Sequence, residues 1–188
     1  MKVENPKALF GNEVYDMYGK VIGKIDKIWE SWNKDYPGYF FGFKTYENTR
    51  DNYFRGTNKL IPIYSDYLRE VVNNHVTLNK TIDDLSHLWN KIVQCGHSIY
   101  PLDQLFEMSV YDKYQSRVGT LCSFVEIDGM MTHFGLLLDP YLYEYWNVPY
   151  NTILPIETSY IKYVKDTINL DKTLDELKIY WHDKYHVL

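Results

Sequence analysis

Cysteine is nearly missing from this chain: Cys95 and Cys122 are the only two in 188 residues. Two thiols cannot form a disulfide framework, and their spacing with His97 and His133 matches no zinc motif, so both are expected as reduced, buried side chains without a role. Long apolar runs are missing as well. The longest, at 134–138, is about five residues, where a membrane-crossing helix needs roughly 20. Residues 1–6 show no apolar h-region and no small-residue cleavage site, so no secretory signal is expected and the cytosol is the default compartment. With 10 Gly, 7 Pro, 45% hydrophobic residues and a net charge of -5, the chain is neither collagen-like nor disordered. Gly-x-Ser-x-Gly, P-loop, Gly-x-Gly-x-x-Gly and His-Glu-x-x-His patterns are absent, and the expectation is a non-enzyme without cofactor or metal.

What the chain does contain is itself, twice. Val14-Tyr15-Asp16-Met17-Tyr18 matches Val110-Tyr111-Asp112-Lys113-Tyr114, and Gly23 matches Gly119, at an offset of 96 residues. Phe41-Gly42-Phe43 matches Phe134-Gly135-Leu136, and Ile61-Pro62-Ile63 matches Leu154-Pro155-Ile156, at an offset of 93. At an offset of 92, Leu78 to Leu85 matches Leu170 to Leu177, and Trp89 matches Trp181. The blocks keep their order and the offset changes where loops would lie, which is the signature of duplication. The halves are 8–92 and 104–188, connected by 93–101.

Each half reads as short strands followed by one helix. Val21 to Trp29 is β-branched and partly alternating, with Gly23 marking a bulge or a close backbone approach. Pro62 and Pro155 cannot donate to a ladder and so mark an edge, a bulge or a strand start. Thr173-Leu174-Asp175-Glu176 has the capping-box form, and Thr81-Ile82-Asp83-Asp84 a weaker version of it. Leu85, Leu88, Trp89 and Ile92, then Leu174, Leu177 and Trp181, recur at helical spacing and predict one apolar face per helix.

Residues 11–25, Gly11-Asn12-Glu13-Val14-Tyr15-Asp16-Met17-Tyr18-Gly19-Lys20-Val21-Ile22-Gly23-Lys24-Ile25, are similar to the PRC-barrel opening "G-x-x-V-x-D-x-x-G-x-x-I-G-K-V". Leu60-Ile61-Pro62-Ile63 resembles that family's Ile-Pro strand, and Val76-Thr77-Leu78 its closing strand. The second half departs from the pattern, with Glu107 where the first has Gly11 and Gln115 where it has Gly19. The resemblance covers 8–80 and, less closely, 106–172. It implies a mainly β fold of two tandem small β-barrels, each followed by a short α-helix. It also implies scaffold or adaptor roles, among them archaeal cell-division adaptors that bind the membrane-tethering protein SepF. A second role it implies is ribosome assembly, as in the RNA-processing factor RimM.

Several side chains invite a chemical role. Asp16 and Asp112 could pass for paired catalytic carboxylates, but a carboxylate beside a tight turn ordinarily accepts backbone hydrogen bonds. His182 and His186 stand four apart near the end of the chain, the pattern of an exposed helix terminus more than of a metal site. Residues 1–96 carry a net charge of +1 and 97–188 one of -6, which argues against broad contact with phosphates. Arg50, Tyr53 and Arg55 interleave basic and aromatic character and form the nucleic-acid candidate, against a solvated loop. Between Asp139 and Tyr150 an aromatic loop bounded by prolines offers Tyr141, Tyr143, Tyr145, Trp146 and Tyr150 as an interface, against folding back on its own barrel. The reading is a self-associating adaptor that binds another protein, with an RNA-binding assembly factor as the alternative.

Overall fold

The computed structural model describes residues 3–32, 38–127 and 130–187. The chain divides into two compact units, Met1–Lys91 and Ile92–Leu188. Strand outweighs helix in both.

The first unit contains β1 (Glu13–Tyr15), β2 (Val21–Ser31), β3 (Tyr39–Thr45), α1 (Glu47–Tyr53), β4 (Ile61–Tyr64), β5 (Leu68–Val72), β6 (His75–Leu78) and α2 (Ile82–Trp89). Its ladders run in the order β5-β6-β1-β2-β3-β4, with β1 parallel to β6 and every other pair antiparallel. The second unit opens with a hairpin, β7 (Ile92–Cys95) and β8 (Ser98–Pro101), then α3 (Leu102–Leu105). It continues with β9 (Ser109–Tyr111), β10 (Arg117–Ile127), β11 (Met130–Leu138), α4 (Pro140–Trp146), β12 (Thr152–Glu157), β13 (Ile161–Val164), β14 (Ile168–Leu170) and α5 (Leu174–Tyr185). Its order, β13-β14-β9-β10-β11-β12, repeats the first strand for strand, including the parallel pair β9 and β14.

The copies also share their irregularities. The register of β2 on β3 slips between Ile25 and Lys27, opposite Phe43 and Gly42. In β10 on β11 it slips between Leu121 and Ser123, opposite Leu136 and Gly135, the equivalent residues. Gly23 and Gly119 each sit beside a register shift, and a Cβ on either would strike the carbonyl oxygen of the neighbouring strand, Lys44 or Leu137. Glycine is therefore needed at both positions. At the first turns Gly11 and Gly19 have φ of 79° and 82°, while Glu107 and Gln115 hold 67° and 65°. The second copy has changed the side chains and kept the left-handed backbone.

Closed barrels are not what the ladders form. Among the described residues no ladder joins β4 to β5 or β12 to β13. Each pair is consecutive in the chain and separated only by a single 3-10 turn, Ser65–Tyr67 or Thr158–Tyr160. So short a turn hands the chain from one end of the sheet to the other without a lateral pairing. The proline in β4 and β12 also removes a donor from a short strand. The expected connection at 93–101 is a paired hairpin, and Ile92, expected on the face of α2, is an exposed residue of β7.

The helix that ends each unit, α2 or α5, begins on a complete capping box. The Thr81 hydroxyl accepts from the Asp84 amide at 3.0 Å while Asp84 accepts from Thr81 N–H; Thr173 and Glu176 repeat the arrangement. Their buried faces carry Ile82, Leu85 and Trp89 in α2, and Leu177 and Trp181 in α5. The Trp181 indole N–H donates to the Pro155 carbonyl at 2.7 Å, so its polar atom enters the core satisfied.

Asp16 and Asp112 accept backbone hydrogen bonds, as expected of carboxylates beside tight turns. Asp16 Oδ1 accepts from the amides of Tyr18 and Lys20 at 3.0 and 2.9 Å, and Oδ2 from the Ile82 amide at the start of α2, at 3.2 Å. Asp112 does the same for Tyr114, Ser116 and Leu174 at 2.9, 2.7 and 3.1 Å. Replacing Asp112 by alanine orphans three amides, at about 1–3 kcal/mol for each one left buried. Urea unfolding is expected to show Asp112→Ala costing about 3 kcal/mol or more and Asp112→Asn less, because one amide oxygen still serves the turn. Gln115→Gly, which removes the penalty of a left-handed side chain, is expected to gain up to about 1 kcal/mol in the same assay.

Candidate interaction surface

The segment read as an aromatic loop is a helix. Asp139 caps α4 by accepting from the Tyr141 amide, Pro140 takes the first helical position, and Asn147 ends it with φ of 55°. Asp139 is also held by Arg117 Nε at 2.8 Å. A seven-residue helix has an inside and an outside, and the five candidate residues separate accordingly. Tyr143 is buried, its hydroxyl donating to the Thr152 carbonyl at 2.9 Å, and burial pushes its phenol well above the ordinary range. Trp146 is buried edge-on against Trp181, with ring centres 5.8 Å apart. These two hold the helix to its unit and are not free contacts.

Tyr141 and Tyr145 lie one turn apart on the outer side. Tyr141 is partly tethered, donating to the Arg117 carbonyl at 2.7 Å. Tyr150 is exposed, with its hydroxyl on Glu144 at 2.9 Å and its ring 5.3 Å from that of Tyr143. Tyr145 is 80% exposed, and its side chain has no hydrogen bond or ring contact among the described residues.

Sequence reasoning passed over two more residues of this kind. Tyr18 and Tyr114 are 82% and 74% exposed, equally without a side-chain partner among the described residues. They occupy one repeat position, the tip of the turn that Asp16 or Asp112 holds rigid. The signal was available: the block that reveals the duplication includes both tyrosines, although neither supports the fold.

The nucleic-acid candidate is otherwise engaged. Residues 47–53 form α1, where Arg50 pairs with Asp51 at 3.1 Å and reaches Asn58 at 3.5 Å. Tyr53 lies under the Lys20 ammonium, 4.5 Å from its ring centre. Arg55 follows at φ of 52° and has a partner of its own. The cysteines are free thiols; burial pushes Cys95 up to about 11 and Cys122 further. His186 lies beyond the last turn of α5 with φ of 55°, and His182 pairs with Asp183 at 2.9 Å, so the two imidazoles do not share a helical face. Among the described residues no three His, Cys, Asp or Glu side chains gather as a metal site would require.

One polar cluster has no counterpart in the first unit. Tyr185 links His133 Nε2 at 3.0 Å to the Tyr180 hydroxyl at 3.1 Å, and Lys184 holds Glu157, the cross-strand neighbour of His133, at 3.1 Å. The repeat positions of His133, Glu157 and Tyr180 are Phe40, Tyr64 and Leu88 in the first unit. Beside the cluster a groove of about 270 Å³ is lined by Tyr160, Lys172, Glu176, Ile179 and Tyr180. The Lys172 ammonium already lies 5.1 Å over the Tyr160 ring.

In comparison with known proteins, the chain matches no family model and no curated protein.

The cluster makes stability depend on pH. Burial, aided by Lys184, lowers the His133 pKa, although Glu157 opposes the shift. As pH falls, the unfolded chain therefore takes up this proton before the folded one. Stability from neutral His133 is complete above about pH 6.5 and is lost as pH falls through the lower folded value. Thermal unfolding between pH 7.5 and 5 is expected to show this loss, and His133→Phe, the residue of the first copy, is expected to flatten the slope.

Proposed function

We propose that this chain is a non-enzymatic adaptor: two PRC-type units that bind another protein and self-associate, in the manner of archaeal division adaptors that engage a membrane-tethering protein. The PRC-type reading is supported by the glycine turn at Gly19, by the close approach at Gly23 and by the repetition of both backbone features in the second unit. The adaptor reading is carried by one observation. Tyr18 and Tyr114 present large aromatic side chains at equivalent turn tips, where they contribute nothing internal.

An unpartnered tyrosine on a rigid turn suits a contact residue. It offers an apolar ring and a hydroxyl at low entropic cost, because two buried-side hydrogen bonds already fix the backbone beneath it. Tyr145, exposed on α4, is the third contact, and it replaces the wider set expected from the aromatic segment. RNA recognition is less well supported, since Arg50 and Tyr53 are satisfied within their own unit.

A tagged chain is expected to retain the same protein partner from RNase-treated and untreated lysate of the source cells. The Tyr18→Ala/Tyr114→Ala variant is expected to weaken that binding by about tenfold or more, as truncation of an interface hot spot does. Its far-UV circular dichroism should not change. Recovery of ribosomal proteins only without RNase, or unchanged binding by the double variant, would overturn the reading.

A further inference from the structure

The two copies differ at one edge of the sheet, and the second shows how that edge is covered. There the β7-β8 hairpin packs on the edge strand β13. Val93 and Cys95 point inward and are buried. The hairpin tip, Gly96 with φ of 63°, lies so close to β13 that a Cβ would collide with the Lys162 carbonyl oxygen. The Tyr100 hydroxyl donates to the Val164 carbonyl at 3.2 Å, satisfying an edge acceptor. Among the described residues no ladder joins β7 to β13; the hairpin lies against the strand and does not extend the sheet.

In the first unit the equivalent strand is β5, where Leu68, Arg69 and Val71 take the places of Ile161, Lys162 and Val164. Among the described residues of the first unit no hairpin lies against this strand. Arg69 and Glu70 are exposed, and Val72 at its end is 54% exposed. A strand with a ladder on one side alone among the described residues is a template for another chain.

We propose that the β5 edge of the first unit is a docking site for a β-hairpin of a partner protein, with the chemistry of the chain's own hairpin. That hairpin is uncharged, with two small apolar residues facing inward at alternate positions, a glycine at the tip to meet the Arg69 carbonyl, and a hydroxyl for the Val71 carbonyl. The inference rests on the adaptor reading and specifies one class of partner. A second copy of this chain cannot supply the hairpin without stripping its own β13.

The test is a full-length chain in which the sequence of Ile92–Pro101 replaces residues 1–5, directly before Pro6. Amide exchange at Leu68–Val72 is expected to slow at least tenfold. The same graft carrying Gly96→Val in the added copy is expected to lose the effect, because the new Cβ meets the strand. In parallel, a synthetic peptide of Ile92–Pro101 added to the unmodified chain is expected to shift the amide resonances of Arg69–Val72. Exchange that does not slow, slowing that survives Gly96→Val, or a peptide without effect at millimolar concentration would overturn the proposal. Should the graft not fold, the peptide titration decides. Protection of Leu68–Val72 that rises with concentration of the unmodified chain would assign the edge to a second copy and also overturn it. None of these outcomes touches Tyr18 and Tyr114, so the adaptor reading stands or falls separately.

Discussion

One buried carboxylate in each unit connects the two ends of the fold. Asp16 and Asp112 accept the amides of a tight turn on one oxygen and the first amide of the terminal helix on the other. The helix start lies more than 60 residues along the chain from the turn, so this contact closes the unit. It also supplies a negative charge where the helix presents its positive end. The parallel pairing of β1 with β6, and of β9 with β14, brings the turn and the helix start together. A carboxylate is the smallest side chain that can accept from both at once, which accounts for its presence in both copies without any role in catalysis.

With that clamp in place, the two copies have been free to diverge elsewhere. Where the first unit sets Phe40 edge-on against Tyr64 with ring centres 6.2 Å apart, the second sets His133 beside Glu157 and draws the last turn of α5 down through Tyr185 and Lys184. The first solution is an aromatic pair. The second fastens a longer helix by polar contacts, of which the exposed Lys184 ion pair contributes under about 1 kcal/mol. Divergence at unclamped positions, and identity at the clamp, are what a fold organised around a single satisfied polar group should display.

Features governed by local chemistry could be read from the sequence. The duplication, the two capping boxes, the Asp turns and the need for glycine at 23 all follow from short-range patterns, and the structure contains each of them. Two elements were misread for reasons of range. Asp139-Pro140 is a good helix start, but seven residues give too little periodicity to stand out from an aromatic-rich loop, and so Tyr143 and Trp146 looked like surface. The hairpin at 92–101 carries no alternation strong enough to distinguish it from a connection; what places it is β13, about 60 residues downstream. Barrel closure was harder still, since it depends on which strand edges meet, and no local pattern encodes that.

The distribution of aromatic side chains bears on what the molecule does. A chain this rich in tyrosine could bury most of its rings, and many are used that way: Tyr64 and Tyr67 pack against each other, Tyr143 reaches Thr152, and Tyr180 joins the cluster at the end of α5. Tyr18, Tyr114 and Tyr145 are different in kind. Each leaves a large apolar face in water with no internal gain. Two of them sit on a turn fixed by the buried carboxylate below. The rigidity that stabilises the fold is then also what lowers the ordering cost of a contact at the tip. The clamp fixes the turn from below in both copies, and duplication repeats the exposed ring on one chain.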